Sequence, residues 1–490
     1  MSHFSRRSFL HTAGSLAAAG LPAWFLAEEA ARAQEQTGKK KGKGKGKKTA
    51  AATDAAAPTT QPKLPVVLIG CGGRGTYVAS NPTEGGGKYF NVLAVCDVNQ
   101  KHAEGVVKKN FPNAEIFHDF RDCIEKAKAK GAQAVINGCP DHWHTLINIH
   151  AMRQGFDVYS EKPLTLTIEE GQKVIEVKNE TKRILQTGSQ QRSDAKFRLA
   201  CELVRNGRIG KLVHVTTLLP QGASGGPFEP QPVPEGFDWE FWQGQAPRHP
   251  FLEERADARF RWWWDYSEGT ITDWGAHHHD IALWGMGMEH SGPVTIDGRA
   301  NGTIVPGGYT TAPYFYIEYL YPNGVTMTSI AVNNGGPAYG LKPDPSETKS
   351  SDSKGSKETT AKVKAKIEDK GWKNGVKFEG ADGWIFVARG RIEASHPDIL
   401  SEPLSDSAIR LYHSDNHFAN FCDAVRTRKE SICPPEIGHR SASVCHLGAL
   451  SVRLNRKLYW DPQKEEFKND AEANAMRSRK MHEPWGYDKV

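Results

Sequence analysis

The chain has no unbroken apolar run near the ~18 residues that a membrane-spanning helix requires, so no span is expected and the mature protein should be soluble. It has eight cysteines but no CxxC spacing, which argues against a structural zinc site and a dithiol redox motif. Cys71, Cys96 and Cys139 close apolar runs, where a small thiol packs as a hydrophobe, and no disulfide framework is expected. Basic charge is missing where a nucleic-acid enzyme would need it. The net charge of +6 is carried by the first 62 residues, which leaves 63–490 neutral and excludes nucleic acid as the expected partner.

The basic N-terminus reads as an address followed by a spacer. Ser5-Arg6-Arg7-Ser8-Phe9-Leu10 is a twin-arginine pattern, followed by a mildly apolar stretch from Ser15 to Ala27 and by Ala31-Arg32-Ala33, small residues suited to signal peptidase. Residues 1–33 are therefore expected to be a twin-arginine signal, placing the protein in the periplasm or otherwise outside the cytoplasm. A chance arginine pair on a disordered end is the alternative. The twin-arginine route carries proteins already folded in a reducing compartment, which agrees with the lack of a disulfide framework. Residues 34–62, with KKKGKGKGKK from Lys39 to Lys48, read as a solvated disordered tether. The remaining length suggests two domains, 63–190 and 191–465, then a tail at 466–490. A stretch rich in Ser, Lys, Asp and Glu at 342–374 reads as an exposed insertion.

A short β-branched run, Leu64 to Ile69, leads directly into Gly70-Cys71-Gly72-Gly73-Arg74-Gly75. In GxGxxG after a strand, the first glycine permits the tight turn, the second lets backbone approach a pyrophosphate, and the third lets helix pack on strand. A second strand ends at Asp97, roughly 20 residues further on. A carboxylate there accepts from the ribose hydroxyls and repels a 2′-phosphate, favouring NAD over NADP. A βαβ unit without nucleotide is the alternative. A third strand runs into Cys139-Pro140-Asp141-His142-Trp143-His144, a loop expected beside the cofactor. Pro140, His142 and His144 are candidate contacts, with helix capping by one histidine as the competing role. A fourth strand ends in Glu161-Lys162-Pro163, which would aim an ammonium at the nicotinamide end.

With GCGGRG, AVCDVN, CPDHWH and above all SEKPLT, and on to RKLYWDP near residue 461, the chain resembles the Gfo/Idh/MocA oxidoreductases. The resemblance implies an α/β fold: an N-terminal Rossmann dinucleotide-binding domain and a C-terminal α/β domain with a large open, mostly antiparallel sheet. That sheet's inner face would roof the active site, and its outer face would build a homodimer or homotetramer. The family's catalytic lysine matches Lys162, and its Asp-x-x-x-His pair matches Asp273 and His277.

The stretch GTITDWGAHHHDIALW, residues 269–284, reads as a helix that puts Asp273, His277 and Asp280 on one stripe. His278 and His279 are turned about 100° and 200° from His277, so the three imidazoles cannot cage one ion, and no metal is expected. A buried polar set and a proton relay both stay open. For the relay, His277 is the general acid/base, Lys162 shares the substrate oxygen, and Asp273 orients His277 or a sugar hydroxyl. Gln190 and Arg192 are candidates for sugar hydroxyls or for joining the domains; Trp263, Asp265 and His278 complete the expected substrate contacts, with plain packing of the tryptophans as the alternative. His413 to Phe418 opens a helix expected to pack back on the first domain without a catalytic role. The reading is an exported NAD(P)-dependent oxidoreductase acting on a carbinol of a sugar, glycoside or polyol. An NAD-dependent glycosidase using transient oxidation and elimination is a second class, and a non-catalytic sugar or nucleotide sensor a third. Soluble NAD is scarce outside the cytoplasm, so the nucleotide is expected to be tightly held.

Overall fold

A computed structural model describes residues 21–36, 61–301, 304–332 and 372–490. The twin-arginine motif, the Lys39–Lys48 run and nearly all of the 342–374 stretch lie outside the described residues.

The first sheet consists of β1 (Leu64–Ile69), β2 (Phe90–Cys96), β3 (Glu115–Phe117), β4 (Ala134–Asn137), β5 (Asp157–Ser160) and β6 (Leu185–Thr187). Its order is β3-β2-β1-β4-β5-β6, and every pairing is parallel. Helices cover both faces of such a sheet, which is why β4 and β5 are buried at every position and show no alternation. The order reverses between β1 and β4. That switch point opens a crevice at their carboxyl ends, between the Gly70 turn and the Cys139-Pro140 loop.

Among the described residues the second sheet has nine strands: β7 (Leu212–Pro220), β8 (Thr295–Asn301), β9 (Tyr314–Leu320), β10 (Thr326–Val332), β11 (Gly375–Gly380), β12 (Trp384–Ala388), β13 (Arg391–Ala394), β14 (Leu458–Asp461) and β15 (Glu466–Phe467). They run in the order β13-β12-β11-β7-β10-β9-β8-β14-β15, antiparallel except where β7 meets β10. Along β9 the side chains alternate: Phe315, Ile317 and Tyr319 are buried, while Glu318 and Leu320 are exposed, as expected for a sheet with one packed face. Helices Gly275–Met286 and Pro435–Leu454 lie on the packed side, sharing a core with Ile317, Val376 and Leu447. Helix Gly275–Met286 is buried on every side, so its three histidines are interior groups and not a surface cluster.

Helix His417–Thr427 returns to the first domain and packs Phe418 and Phe421 against Phe90 and Tyr159. Two segments carry structure that the sequence reading did not assign. The region of the expected cleavage site forms a helix, Ala23–Gln36, docked on the second domain. Trp24 Nε1 donates to Leu400 O at 2.8 Å, Phe25 is 1% exposed beneath Arg198, and Glu29 pairs with Arg198 at 2.6 Å. Residues 466–490, the expected C-terminal tail, are packed on the rest of the chain. Phe467 completes the sheet edge, and Trp485 stacks on Phe241 and Phe120, because these aromatic surfaces find apolar grooves to fill.

Candidate active site

The glycine turn at the crevice is built for close approach. Gly70 has φ +77°, and a Cβ there would lie 2.6 Å from the Cys139 nitrogen. A Cβ on Gly75 would lie 1.9 Å from the Gly70 oxygen, so this glycine is what lets helix Gly73–Ser80 close on β1. Gly72 and Gly73 are different. A Cβ at either would meet nothing within 4 Å, leaving open space in front of a helix N-terminus, where a pyrophosphate would lie. Asp97 sits at the end of β2 and lines the same cleft; its carboxylate accepts from Cys71 N at 2.9 Å and Asn99 N at 2.8 Å. This cradle and carboxylate fit a dinucleotide.

The cleft has a volume of about 990 Å³ and runs from Gly72 and Asp97, past Pro140, to Lys162, Asp273 and His277. A strap from the second domain roofs its cofactor half. Phe237 bridges Asn99, Asp238 N donates to Val98 O at 3.0 Å, Gln100 N donates to Gly236 O at 2.8 Å, and Trp143 Nε1 donates to Trp242 O at 2.8 Å. The strap thereby crosses the carboxyl ends of β2 and β4, with Phe237, Phe241 and Trp242 lining the cleft.

At the other end, Lys162 Nζ donates to the Asp273 carboxylate at 2.5 Å and to its backbone carbonyl at 2.8 Å. Arg261 Nε donates to the same carboxylate oxygen at 3.0 Å. Burial alone would raise the pKa of Asp273, but the charges of Lys162 and Arg261 outweigh it and hold the carboxyl well below the usual carboxylate range. Glu161 is likewise held low against its burial, by the Arg74 guanidinium at 2.9 Å. Gln190 Nε2 donates to Glu161 at 3.0 Å and Tyr159 at 2.8 Å and also faces the cleft.

His277 is 6% exposed and lines the cleft. Burial, and next the charge of Lys162, push its pKa well below the ordinary value, so the imidazole is neutral. Its Nδ1 is enclosed without a partner among the described residues, which leaves Nε2 as the nitrogen toward the cleft. Asp273 makes no hydrogen bond to His277: two cations claim its carboxylate, so the expected orienting of His277 by Asp273 gives way to anchoring of Lys162.

Several expected contacts lie elsewhere. His142 is buried with Nε2 on Trp242 O at 2.9 Å, and His144 ties Cys139 O (2.9 Å) to Pro163 O (2.6 Å). Neither lines the cleft, because both rings are consumed in holding loops together; His144 does so in a way that fixes the segment beside Lys162. Arg192 is buried against Asp280 at 2.7 and 2.9 Å and Glu289 at 2.7 Å, and so joins elements instead of meeting substrate. Trp263 packs beneath Arg255 and donates to Glu254 O, and Asp265 pairs with His249 at 2.9 Å. His278 turns to Asn374. The expected single helix is two, Thr270–Asp273 and Gly275–Met286, meeting at Trp274, and Asp280 serves Arg192 and Ser441 Oγ.

Among the cleft-lining groups that carried no role in the sequence reading are Arg261, Trp274, Arg389 and His417. Arg261 sits in a 3₁₀ segment and Arg389 in the turn after β12, where no periodicity marks them. Among the described residues, Glu29, His413 and Asp415 could bring three ligand atoms together. Hydrogen bonds to Asp415 and Glu29 raise His413 to about 9, so the cluster is an ion pair around an imidazolium.

Two family models match the chain. Residues 64–189 match the oxidoreductase family's NAD-binding Rossmann fold, and residues 223–334 and 367–487 match that family's C-terminal alpha/beta domain, together most of the chain. Inositol 2-dehydrogenase of Rubrobacter xylanophilus is 28% identical over 154 residues, which are 30% of this chain and 41% of that protein; the chain thus spans less than half the length of this relative. Among solved structures, the WlbA dehydrogenase from Bordetella pertussis, in complex with NADH and UDP-GlcNAcA, superposes with a TM-score of 0.56 at 16% identity, covering 82% of this chain and 99% of that one. Myo-inositol 2-dehydrogenase from Lactobacillus plantarum gives 0.53 at 17%, covering 81% and 99%. At these identities the superpositions speak for the fold.

Proposed function

The chain belongs to the Gfo/Idh/MocA oxidoreductase family, and from that premise we propose that it is an NAD-dependent oxidoreductase acting on a carbinol of a sugar, polyol or glycoside. The observation that carries this is the convergence of Lys162, anchored on Asp273, and a neutral His277 on the cleft that begins at the glycine turn. When bound, the nicotinamide supplies the hydride acceptor. Gly72, Gly73 and Asp97 would hold the dinucleotide, and the Asp97 carboxylate supports NAD over NADP. His277 Nε2 would accept the hydroxyl proton, which an imidazole kept neutral can do without first losing one. Lys162 Nζ, with two of its donors on Asp273, has a third for the substrate oxygen and would stabilise alkoxide character there.

The strap supports a nucleotide that is held between turnovers, since leaving requires parting backbone pairs at Val98–Gln100. Retention favours a second reading, in which oxidation is transient and a glycosidic bond is eliminated before the hydride returns. The twin-arginine pattern supports export with the cofactor already loaded, to the periplasm, and the outer face of the nine-stranded sheet is the surface we assign to homo-oligomers. The test is the near-ultraviolet absorbance of the purified protein while sugars and glycosides are added. A lasting band of reduced nicotinamide identifies net dehydrogenation. Glycoside cleavage without a net change identifies the closed cycle. Neither signal across sugars, polyols and glycosides would remove the proposal.

A further inference from the structure

Among the described residues, four Lys and Arg side chains line the substrate end of the cleft: Arg74, Lys162, Arg261 and Arg389. Three are matched: Arg74 lies 2.9 Å from Glu161, and Lys162 and Arg261 share Asp273. Arg389 reaches in from the turn between β12 and β13, and among the described residues no carboxylate comes within ion-pair distance of it. Its guanidinium lies 4.8 Å from the centroid of the Trp274 ring, which stands three residues before His277 and 5.8 Å from its ring. The other carboxylates at this end are committed. Asp194 caps helix Ala195–Arg205 through Lys196 N at 2.8 Å, and Asp415 pairs with His413 at 3.0 Å. Partial burial and the facing charge of Arg74 lower the pKa of Arg389, and the carboxylates of Asp273, Glu161 and Asp194, beyond ion-pair distance, only partly offset them.

We propose that the substrate carries an anionic group, a carboxylate or a phosphate, and that Arg389 receives it while the neighbouring carbinol faces His277 and Lys162. This rests on the sugar reading given above. An unmatched guanidinium in a partly dry cleft is unfavourable until an anion arrives, and its planar fork suits bidentate binding of either group. Trp274 supplies a face that fixes the plane of the fork. The phosphates of the nucleotide are the competing anion: their cradle is the Gly72–Gly73 turn, and Arg389, on the second domain, feels Arg74 of that turn as well as His277, so the test reads nucleotide retention beside sugar preference.

The test uses the nucleotide-loaded protein and calorimetric titration of paired sugars: glucose against glucuronate, galactose against galacturonate, and glucose against glucose 6-phosphate. The expected result is an affinity at least about 10-fold higher for the anionic member of a uronate or phosphate pair, the scale of one charge-assisted hydrogen bond. Which pair shows it identifies the anion. In Arg389→Gln that preference should collapse, and in Arg389→Lys it should return in part. Equal affinity within all pairs, or a preference that survives Arg389→Gln, overturns the inference and leaves the sugar reading intact. Loss of retained nucleotide in Arg389→Gln with the sugar preference unchanged also overturns it, assigning Arg389 to the cofactor. Binding of no sugar in any pair removes the sugar reading and this inference together.

Discussion

At the scale of single residues, the candidate chemistry depends on which partner each charge has. Lys162 is held by Asp273 through two hydrogen bonds, and His277 by burial alone. Lys162→Met and His277→Asn are each expected to lower turnover by about 10²–10⁴, the usual scale for a lost general acid–base group, while the protein keeps its nucleotide. Rapid-mixing kinetics beside a nucleotide assay of the denatured protein checks both. His277 is neutral because burial and the Lys162 charge oppose its protonation. The acid limb of kcat/KM should therefore lie well below pH 6.5, the ordinary histidine value, and a break at 6.5 would contradict the assignment. Lys162 and His277 were legible from short motifs. Arg261 and Arg389 were not, because each gains meaning only from a carboxylate or a ring far away in the chain.

At the scale of elements, the glycine turn and the strap separate two effects. Gly72→Ala should fold normally and bind nucleotide weakly, since its Cβ enters only the open cradle. Gly75→Ala should lower stability as well, because its Cβ collides with the Gly70 oxygen. Thermal melts with and without added NAD distinguish the two. The strap rests on backbone pairs at Val98–Gln100 and on a 3.0 Å contact between Asp238 and His118. Phe237→Gly with Asp238→Ala should speed nucleotide release by about 10-fold or more, a cost of about 1.4 kcal/mol in holding the strap closed. Release into excess unlabelled nucleotide measures it. The strand–glycine–strand order of the first domain was readable because buried parallel strands are continuous apolar runs. The strap was not: its aromatics, such as Trp239 and Trp242, look alike whether they line a sugar or pack on one another.

For the whole molecule, the interior histidines determine how stability follows pH. His142 is lowered by burial to about 3, His279 to about 3, and His278 and His417 to about 4. Unfolded, each takes up a proton near pH 6.5; folded, each stays neutral until far lower. Their contribution is therefore complete above pH 6.5 and is lost as pH falls below it, by up to about 1.4 kcal/mol per pH unit for each histidine. His413, raised to about 9, acts in the opposite sense, with a contribution present below pH 6.5 and lost as pH rises through 9. Urea midpoints between pH 5 and pH 9 should fall toward both ends, more steeply on the acid side. The buried Arg192–Asp280–Glu289 group belongs to this scale too. Arg192→Ala should cost about 3–5 kcal/mol, since it strands a buried carboxylate, with little direct effect on sugar affinity.

Local chemistry alone determined the βαβ start, the glycine turn with its acid at Asp97, the Glu161-Lys162 strand end and the Asp273–His277 spacing. Each is a short-range pattern in which backbone geometry and residue type constrain one another. The tertiary structure decided which polar groups face the cleft and which are consumed inside. His142, His144, Arg192, Asp265 and His278 have the same chemistry as cleft residues, and only the partners brought to them by folding turn them away. The pairing of Asp273 with Lys162, and the lack of a carboxylate partner for Arg389 among the described residues, likewise follow from surfaces joined across long stretches of chain, and no local pattern encodes them.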